Sequence, residues 1–295
     1  MSHTSCHNNI RNKVSKERIA QEFSKLCRCP GVIRALTAMG KTGMYAPLFS
    51  DTVSALGGEL DAASWSQGVR VVEACQPWQL PNSVMVFASL LAPSIHSPVS
   101  NRVATSAIAS TWRLPCETSR AVGSILHSAL VLQHPTSWAM LLGRADTKNT
   151  TRQKFIAQHR GEIGMWIHSI GAPWRSALAL ALALQKSSII SQVIAAIEAE
   201  GLDKAVDTKP LIRGDELSRI LGVEKKTISE AVNVLLEWQM EHPEAGVEEA
   251  QHIIVELWEK RSTRDKDKDE EAETVALRRA LKELTSLMGA KGEGK

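Results

Sequence analysis

The stretch KVSKERIAQEFSKL, residues 13–26, has the pattern of a capped amphipathic helix close to the start of the chain. Ser15 is a residue type favoured just before a helix, and Glu17 falls in the first turn, where a negative charge suits the helix dipole. The apolar residues Ile19 and Phe23 recur at helical spacing. The pattern therefore predicts a helix with one buried face.

The rest of the chain continues this helical pattern. Its 295 residues are 43% hydrophobic but only 4% aromatic, and Ala and Leu dominate, which favours helices over strands. Breakers such as Cys29-Pro30-Gly31 and Leu114-Pro115 separate the helical stretches. Two of the longest predicted helices span residues 151–170 and 174–200. We therefore expect an all-α fold, an irregular helical array with no substantial sheet.

Charge and cysteine content exclude several classes of protein. The formal net charge is +3 and the pI is near 8.6, which permits nucleic-acid binding without demanding it. Five cysteines without repeated spacing argue against a disulfide framework and indicate an intracellular protein. Residues 1–16 fit a mitochondrial presequence or a solvated tail, so cytoplasm, nucleus and mitochondrion all stay open. No run approaches the roughly 20 apolar residues of a membrane span, so we expect no membrane contact.

No motif for catalysis or metal binding is visible. The chain has no H-E-x-x-H and no G-x-x-x-x-G-K-[ST] sequence, and its nine histidines are scattered. The run Asp265–Asp269 superficially suggests a calcium loop, but Glu270 stands where glycine is needed and Ala276 where a bidentate glutamate is needed. We therefore predict no catalytic residue, no bound metal and no cofactor on this chain.

The segment 208–258 carries a local signal for nucleic-acid binding. A short helix is predicted to end at Gly222, and Lys225 and Lys226 then precede a helix that starts near Thr227. Free amides at a helix start beside two lysines form a site for a phosphate group. Such contacts position an RNA backbone without reading its sequence. A helical hairpin with a solvated turn explains the same pattern, and both interpretations stay open.

Three stretches share the order and spacing of motifs in one known family. The first contains Ser15, Glu17, Arg18, Leu36, Gly43, Met44, Leu48 and Phe49. The second, RQKFIAQHRGEIGMWIHSIGAPWRSALALALAL, contains Gly171, Trp174 and Arg175. The third contains Pro210, Gly214, Asp215, Leu217, Leu221, Gly222, Val223, Ile228, Leu235, Leu236, Trp238 and Glu248-Glu249-Ala250. Together they resemble the neck, body and tail of eukaryotic-type class II tRNA nucleotidyltransferases, the CCA-adding enzymes of the poly(A) polymerase family.

The resemblance implies a division of the chain into a flexible N-terminal tail at 1–12, neck-like helices at 13–60, a helical body at 61–206, a tail hairpin at 207–260, and a charged linker with a last helix at 261–295. In this family a catalytic head precedes the neck and uses Mg²⁺ with ATP and CTP, its carboxylates holding the metal. Because no matching carboxylate motif occurs in the sequence, we expect the head to be absent from this chain. The chain alone is then predicted to be inactive as an enzyme.

The resemblance also implies roles for individual residues. The neck residues that would brace the head are Ser15, Glu17 and Arg18. The residues that would bind RNA are Arg175, Arg213, Arg219, Lys225, Lys226 and Thr227. The expected RNA is tRNA, held on its acceptor and T-arm side through shape and backbone contacts. A second expected partner is a separate head-domain chain, or another copy through the neck, which would cover the apolar residues Val14, Ile19 and Phe23.

Two other hypotheses stay open. A degenerate paralogue would serve as a structural subunit of a larger RNA–protein complex, with residues 262–295 as its partner helix. The other hypothesis is an unrelated helical protein that shares only the sequence pattern with the CCA-adding enzymes. Binding of tRNA with an affinity that falls as salt rises would distinguish the first hypothesis from both.

Overall fold

All secondary structure within the described residues is helical, which confirms the predicted all-α fold. The structure is a computed structural model that describes residues 14–76, 82–134, 137–139 and 149–261. The chain divides into two compact units, residues 1–207 and residues 208–295, called unit 1 and unit 2 below. The predicted tail at 1–12 lies outside the described residues, as does the predicted C-terminal segment at 261–295 apart from its first residue.

Unit 1 is built from helices joined mostly by short turns. Its helices within the described residues are α1 (Lys16–Cys27), α2 (Val32–Thr42), α3 (Tyr45–Ala55), α4 (Ala62–Cys75), α5 (Asn82–Leu91), α6 (Asn101–Trp112), α7 (Cys116–Val131), α8 (Asn149–Gln158), α9 (Arg160–Ile170), α10 (Trp174–Leu184) and α11 (Ile190–Ala199), with 3₁₀ segments at Ala92–Ser94 and Leu202–Asp207. Unit 2 contains α12 (Gly214–Leu221), α13 (Ile228–Glu241) and α14 (247–261). The predicted neck and body helices thus lie in the same compact unit.

Helix α1 forms where the local pattern predicts it. The Ser15 hydroxyl accepts a hydrogen bond from the Arg18 backbone N–H at 3.3 Å, and Glu17 lies in the first turn. At the other end, the Arg28 N–H donates to the Lys25 carbonyl at 3.0 Å. The cap and the favourable first-turn charge define where this helix starts.

An aromatic cluster holds α1 against the rest of unit 1. Phe23 is 4% exposed, and its ring centroid lies 5.3 Å from Phe49 on α3, 4.9 Å from Phe87 on α5 and 5.4 Å from Trp112 on α6. Edge-on and tilted contacts of this kind add stabilisation beyond the burial of area alone. Helix α1 is therefore an integral part of the core of unit 1.

The predicted lack of cover on the neck is wrong for Phe23, because rings from three other helices of the same unit enclose it. The N-terminal edge of α1 is more open. Val14 is 37% exposed and Ile19 is half-buried, and both line a cavity of about 50 Å³ beside Leu48 and Asp51. A partner that covers the neck would meet this edge rather than Phe23.

Helices α2 and α3 are fixed to their neighbours by buried tryptophans. The Trp65 indole N–H on α4 donates to the Leu36 carbonyl at 3.1 Å, and a Cβ added to Gly40 would lie 3.0 Å from the same indole ring. The Trp112 indole N–H donates to the Thr52 hydroxyl at 3.0 Å. These bonds satisfy the polar atoms of large buried side chains and join α2 to α4 and α3 to α6.

Two long helices predicted from the sequence are each broken in the structure. The prediction of one helix at 151–170 is wrong, because His159 takes a non-helical backbone conformation between α8 and α9. The prediction of one helix at 174–200 is also wrong, because α10 ends at Leu184 and α11 begins at Ile190. Lys186 in that gap has a positive φ of 59°. The break at Lys186 has no glycine or proline beside it, and Gly161 near the break at His159 lies within α9.

Unit 2 has its own small core. Gly222 caps α12 with φ 63°, the left-handed conformation that favours glycine, and Gln239 on α13 accepts from the Leu211 N–H at 3.0 Å. The buried residues that all three helices and the preceding segment contribute are Ile212, Leu217, Ala231, Val234, Leu235, Trp238, Ala250 and Ile254. This core orients the turn between α12 and α13, where the sequence predicts a phosphate site.

Candidate nucleic-acid interface

The tail turn places its predicted RNA-binding side chains on the surface of unit 2. Lys226 pairs with Glu224 at 2.9 Å and Arg213 with Asp215 at 3.6 Å, and all four side chains are at least two-thirds exposed. The Arg219 guanidinium donates to the Asp215 carbonyl at 3.4 Å. Exposed pairs of this kind exchange readily with solvent and are weak. The cations are accessible to a ligand, but acidic neighbours offset part of their charge.

The predicted free amides at the start of α13 are only partly free. The Thr227 N–H donates to the Glu224 carbonyl at 3.0 Å, and the Ile228 N–H donates to the Lys225 carbonyl at 3.4 Å. The turn thus supplies acceptors for two amides that we predicted would bind a phosphate group. The prediction of free amides at this helix start is therefore wrong for Thr227 and Ile228, because the chain approaches α13 through a turn that occupies both.

The charge balance of unit 2 also opposes phosphate binding. Residues 208–261 contain 7 basic and 11 acidic residues, a formal net charge of −4. Carboxylates occupy the first turn of α12 at Asp215 and Glu216, of α13 at Glu230 and of α14 at Glu248 and Glu249. Acidic side chains there already interact with the positive end of each helix dipole. An RNA phosphate would have to approach against them.

Arg175 lies in unit 1, whereas the other predicted RNA-binding residues lie in unit 2. Its guanidinium contacts Glu198 at 2.7 Å and stands 4.6 Å from the centre of the Trp174 ring. The ion pair joins the start of α10 to the end of α11, so Arg175 already has a structural role. A role in RNA binding stays a prediction.

The neck motif sits at the exposed start of α1. Ser15 caps the helix, and the Glu17 and Arg18 side chains are exposed to solvent. Nothing in the described residues of unit 1 uses them to hold another helix. The predicted role in bracing a head domain therefore remains a prediction.

The excess of positive charge lies in unit 1 and not in unit 2, which contains the predicted tail site. Residues 1–207 contain 20 basic and 13 acidic residues, a formal net charge of +7. On α2, the exposed residues Arg34, Thr37, Ala38 and Lys41 share one face at helical spacing. All Lys and Arg residues of α1 and α2 are exposed. A basic, accessible surface of this kind attracts phosphate backbones.

A groove lies between α1 and the turn from α6 to α7. Its volume is about 550 Å³, and we call it the α1–α7 groove. The charged and hydroxyl side chains that line it are Glu17, Ser24, Lys25, Arg28, Ser83, Arg113 and Thr118. The basic residues outnumber the acidic one, and a hydrogen bond from Lys25 at 2.9 Å lowers the pKa of the nearby Glu22. The groove combines positive charge with hydroxyl donors, which suits a phosphate ligand.

Sequence reasoning missed the arginines of this groove. Arg28 follows the last turn of α1, and Arg113 lies far along the chain at the end of α6. No local motif joins residues so far apart in sequence. A count of charges by segment could have pointed toward unit 1 and away from the tail, but not to these two arginines.

Within the described ranges, no group of three or more His, Cys, Asp or Glu side chains is arranged to hold a metal ion. Among the helices described, none is both long enough and apolar enough to cross a bilayer.

Comparison with known proteins gives a match that covers the basic helices α1 and α2. Residues 5–56 match the family model described as the probable RNA- and SrmB-binding site of polymerase A. The matched segment includes α1, α2 and α3, ends at Leu56 just after α3, and contains 8 basic and 3 acidic residues. No curated protein and no solved structure shows a significant match. The first three helices are thus similar to an RNA-binding region of the poly(A) polymerase type.

Proposed function

We propose that this protein binds RNA through the basic surface of unit 1 and that tRNA is its RNA ligand. The observation that carries the proposal is a coincidence of position. The segment that matches the RNA-binding family, 5–56, has a formal net charge of +5 and supplies one wall of the α1–α7 groove. Choice of tRNA over other RNA rests on the resemblance to CCA-adding enzymes alone.

The binding mode follows from the type of side chain on the surface. Lysine and arginine contact phosphates without reading bases, so recognition would depend on the shape of the RNA and its backbone. Counterions are released when phosphates are neutralised, so affinity must fall as salt increases. Protein that binds four to six phosphates loses roughly 10²–10³ in affinity between 50 and 200 mM salt.

Two double variants with the same change in charge distinguish the basic surface from the tail turn. Arg34→Glu with Lys41→Glu reverses the exposed stripe of α2, and Lys225→Glu with Lys226→Glu reverses the tail turn. Affinity for labelled tRNA is measured by fluorescence anisotropy at low salt. We expect the α2 variant to bind at least about tenfold more weakly than the original protein, since two attractions become repulsions. The tail variant should lose less, because that unit is already acidic.

The results of this assay either identify the RNA-binding surface or reject the proposed RNA-binding function. A larger loss in the tail variant would show that the turn at Lys225 and Lys226 is the principal site after all. Absence of tRNA binding at low salt would overturn the proposed function. Co-purification with a large RNA–protein complex in that case would favour the alternative of a structural subunit. A head-domain partner remains a separate proposal, which copurification of a nucleotidyltransferase head with this chain would support.

A further inference from the structure

One hydroxyl group that lines the α1–α7 groove has no hydrogen-bond partner among the described residues. Ser83 lines the groove and is 6% exposed, yet its side chain makes no hydrogen bond to any described residue. Because the hydroxyl makes no such bond, it is free to pair with water or with a ligand in the groove. The side chain is thus placed to donate to a ligand that enters the groove.

The start of α7 offers backbone donors at the same place. Pro115 precedes this 16-residue helix and supplies no side-chain cap, and the first helical hydrogen bond runs from the Ser119 N–H to the Pro115 carbonyl at 2.9 Å. The preceding amides of the first turn therefore have no partner within the helix. Pro115 and Thr118 line the groove, so the positive end of the helix dipole faces it.

Two arginines add charge to these donors. Arg28 and Arg113 both line the groove, and neither forms an ion pair with a described residue. Glu17 is the acid that lines it, and Glu117 in the first turn of α7 lies outside the lining. Guanidinium groups bind phosphate oxygens through paired N–H donors and are always charged near neutral pH. The charge and the donor groups that line this groove therefore suit an anionic ligand.

We propose that the α1–α7 groove binds a phosphate group on an unpaired nucleotide of the RNA. Arg28 and Arg113 would neutralise its charge, while Ser83 and the first-turn amides of α7 would donate to its oxygens. The volume of about 550 Å³ falls in the range of small-ligand pockets, so it admits one nucleotide but not the width of a duplex. This inference rests on the proposed function for its RNA source, but the phosphate site itself does not.

Two glycine variants distinguish the loss of a cation inside the groove from the general effects of losing a positive charge and changing the backbone. Arg113 and Lys186 each have a positive φ, of 52° and 59°, and each is a basic residue after the last turn of a helix. Arg113→Gly removes a groove cation, and Lys186→Gly makes the same change of charge and backbone outside the groove. Both glycines suit the left-handed conformation, so neither variant should unfold the protein. Ser83→Ala removes the buried hydroxyl as a third, nearly isosteric variant.

The first measurement is the affinity for a labelled single-stranded RNA of mixed sequence, for a blunt duplex of the same length and for tRNA. We expect Arg113→Gly to weaken single-strand binding about tenfold, as for a lost charged hydrogen-bonding group, and Lys186→Gly to change it less than about twofold. The salt slope should fall by about 0.7 for the lost phosphate contact. Duplex binding should change equally in both variants. Equal weakening of single-strand binding by both glycine variants would overturn the inference and leave the proposed function intact.

The second measurement uses inorganic phosphate and no RNA. Phosphate should raise the melting temperature of the original protein above that in chloride of equal ionic strength, because a bound ligand stabilises the folded state. The rise should be lost in Arg113→Gly and reduced in Ser83→Ala but kept in Lys186→Gly. Equal effects of phosphate and chloride would reject the site. If phosphate stabilises the protein specifically but the protein binds no RNA, the groove is a site for free phosphate. That result would support the site and reject the proposed function.

Terminal and backbone phosphates are distinguished by single-stranded RNA with and without a 5′-phosphate. A difference of tenfold or more that Arg113→Gly abolishes would identify a terminal phosphate as the ligand. Equal affinities that Arg113→Gly lowers together would identify a backbone phosphate. A preference for the 5′-phosphate that survives in Arg113→Gly would place that phosphate elsewhere and contradict the proposed site.

Discussion

Replacing Phe23 by alanine tests whether the first helix belongs to the core of unit 1. Phe23 is 4% exposed, with three aromatic rings between 4.9 and 5.4 Å from its own. Truncation of a buried phenylalanine costs about 3–5 kcal/mol, from lost transfer free energy and the remaining cavity. Three lost ring contacts argue against the lower end of that range, so we expect a cost of about 4 kcal/mol.

The assay is equilibrium unfolding in urea, followed by far-UV circular dichroism and by tryptophan fluorescence. Trp112 lies in the cluster and should report the local change. In a unit of this size, a loss of about 4 kcal/mol corresponds to a fall in melting temperature of about 8–16 °C. Val14→Ala is the control, because Val14 is 37% exposed and should change stability by less than about 0.5 kcal/mol. A cost below about 1 kcal/mol for Phe23→Ala would refute the aromatic cluster as an anchor of α1.

Three further predictions concern stability. Arg113→Gly and Lys186→Gly should each stabilise the protein by about 0.5 kcal/mol in urea, by relief of a left-handed backbone. Trp65→Phe should cost about 1 kcal/mol in the same assay, through loss of its hydrogen bond to the α2 backbone. Burial raises the pKa of Cys27 and of Cys75 to about 12. The stability that each protonated thiol contributes should thus be fully present below pH 9 and be lost as the pH rises from 9 toward 12, with a smaller loss in Cys75→Ala.

The sequence predicted features whose causes are local. Ser15 and Glu17 define the start of α1 within a few residues, and Gly222 ends α12 because its φ of 63° suits glycine. By contrast, the breaks at His159 and Lys186 do not fall on a glycine or proline. Tertiary packing must offset the cost of those breaks, and a single sequence contains no direct record of such packing.

The candidate interface was harder to predict for the same reason. Adjacent lysines at 225 and 226 are conspicuous in the sequence, whereas Arg28 and Arg113 meet at one groove only after α1 and α6 pack together. The helix periodicity also does not show that the turn before α13 occupies its own amides. Net charge by segment was available without a structure, and it already separates an acidic tail from a basic N-terminal part.

Stability and RNA binding are connected through α1 itself. An isolated helix of 12 residues is only marginally stable in water, so α1 depends on its buried face to remain folded. That face holds Phe23, while the opposite side carries Lys25 and Arg28 into the α1–α7 groove. Loss of the aromatic anchor should therefore loosen one wall of the groove before the whole unit unfolds. In Phe23→Ala, single-strand affinity should begin to fall at a lower temperature than the helix content does. A parallel loss of both would mean that α1 unfolds only with the entire unit.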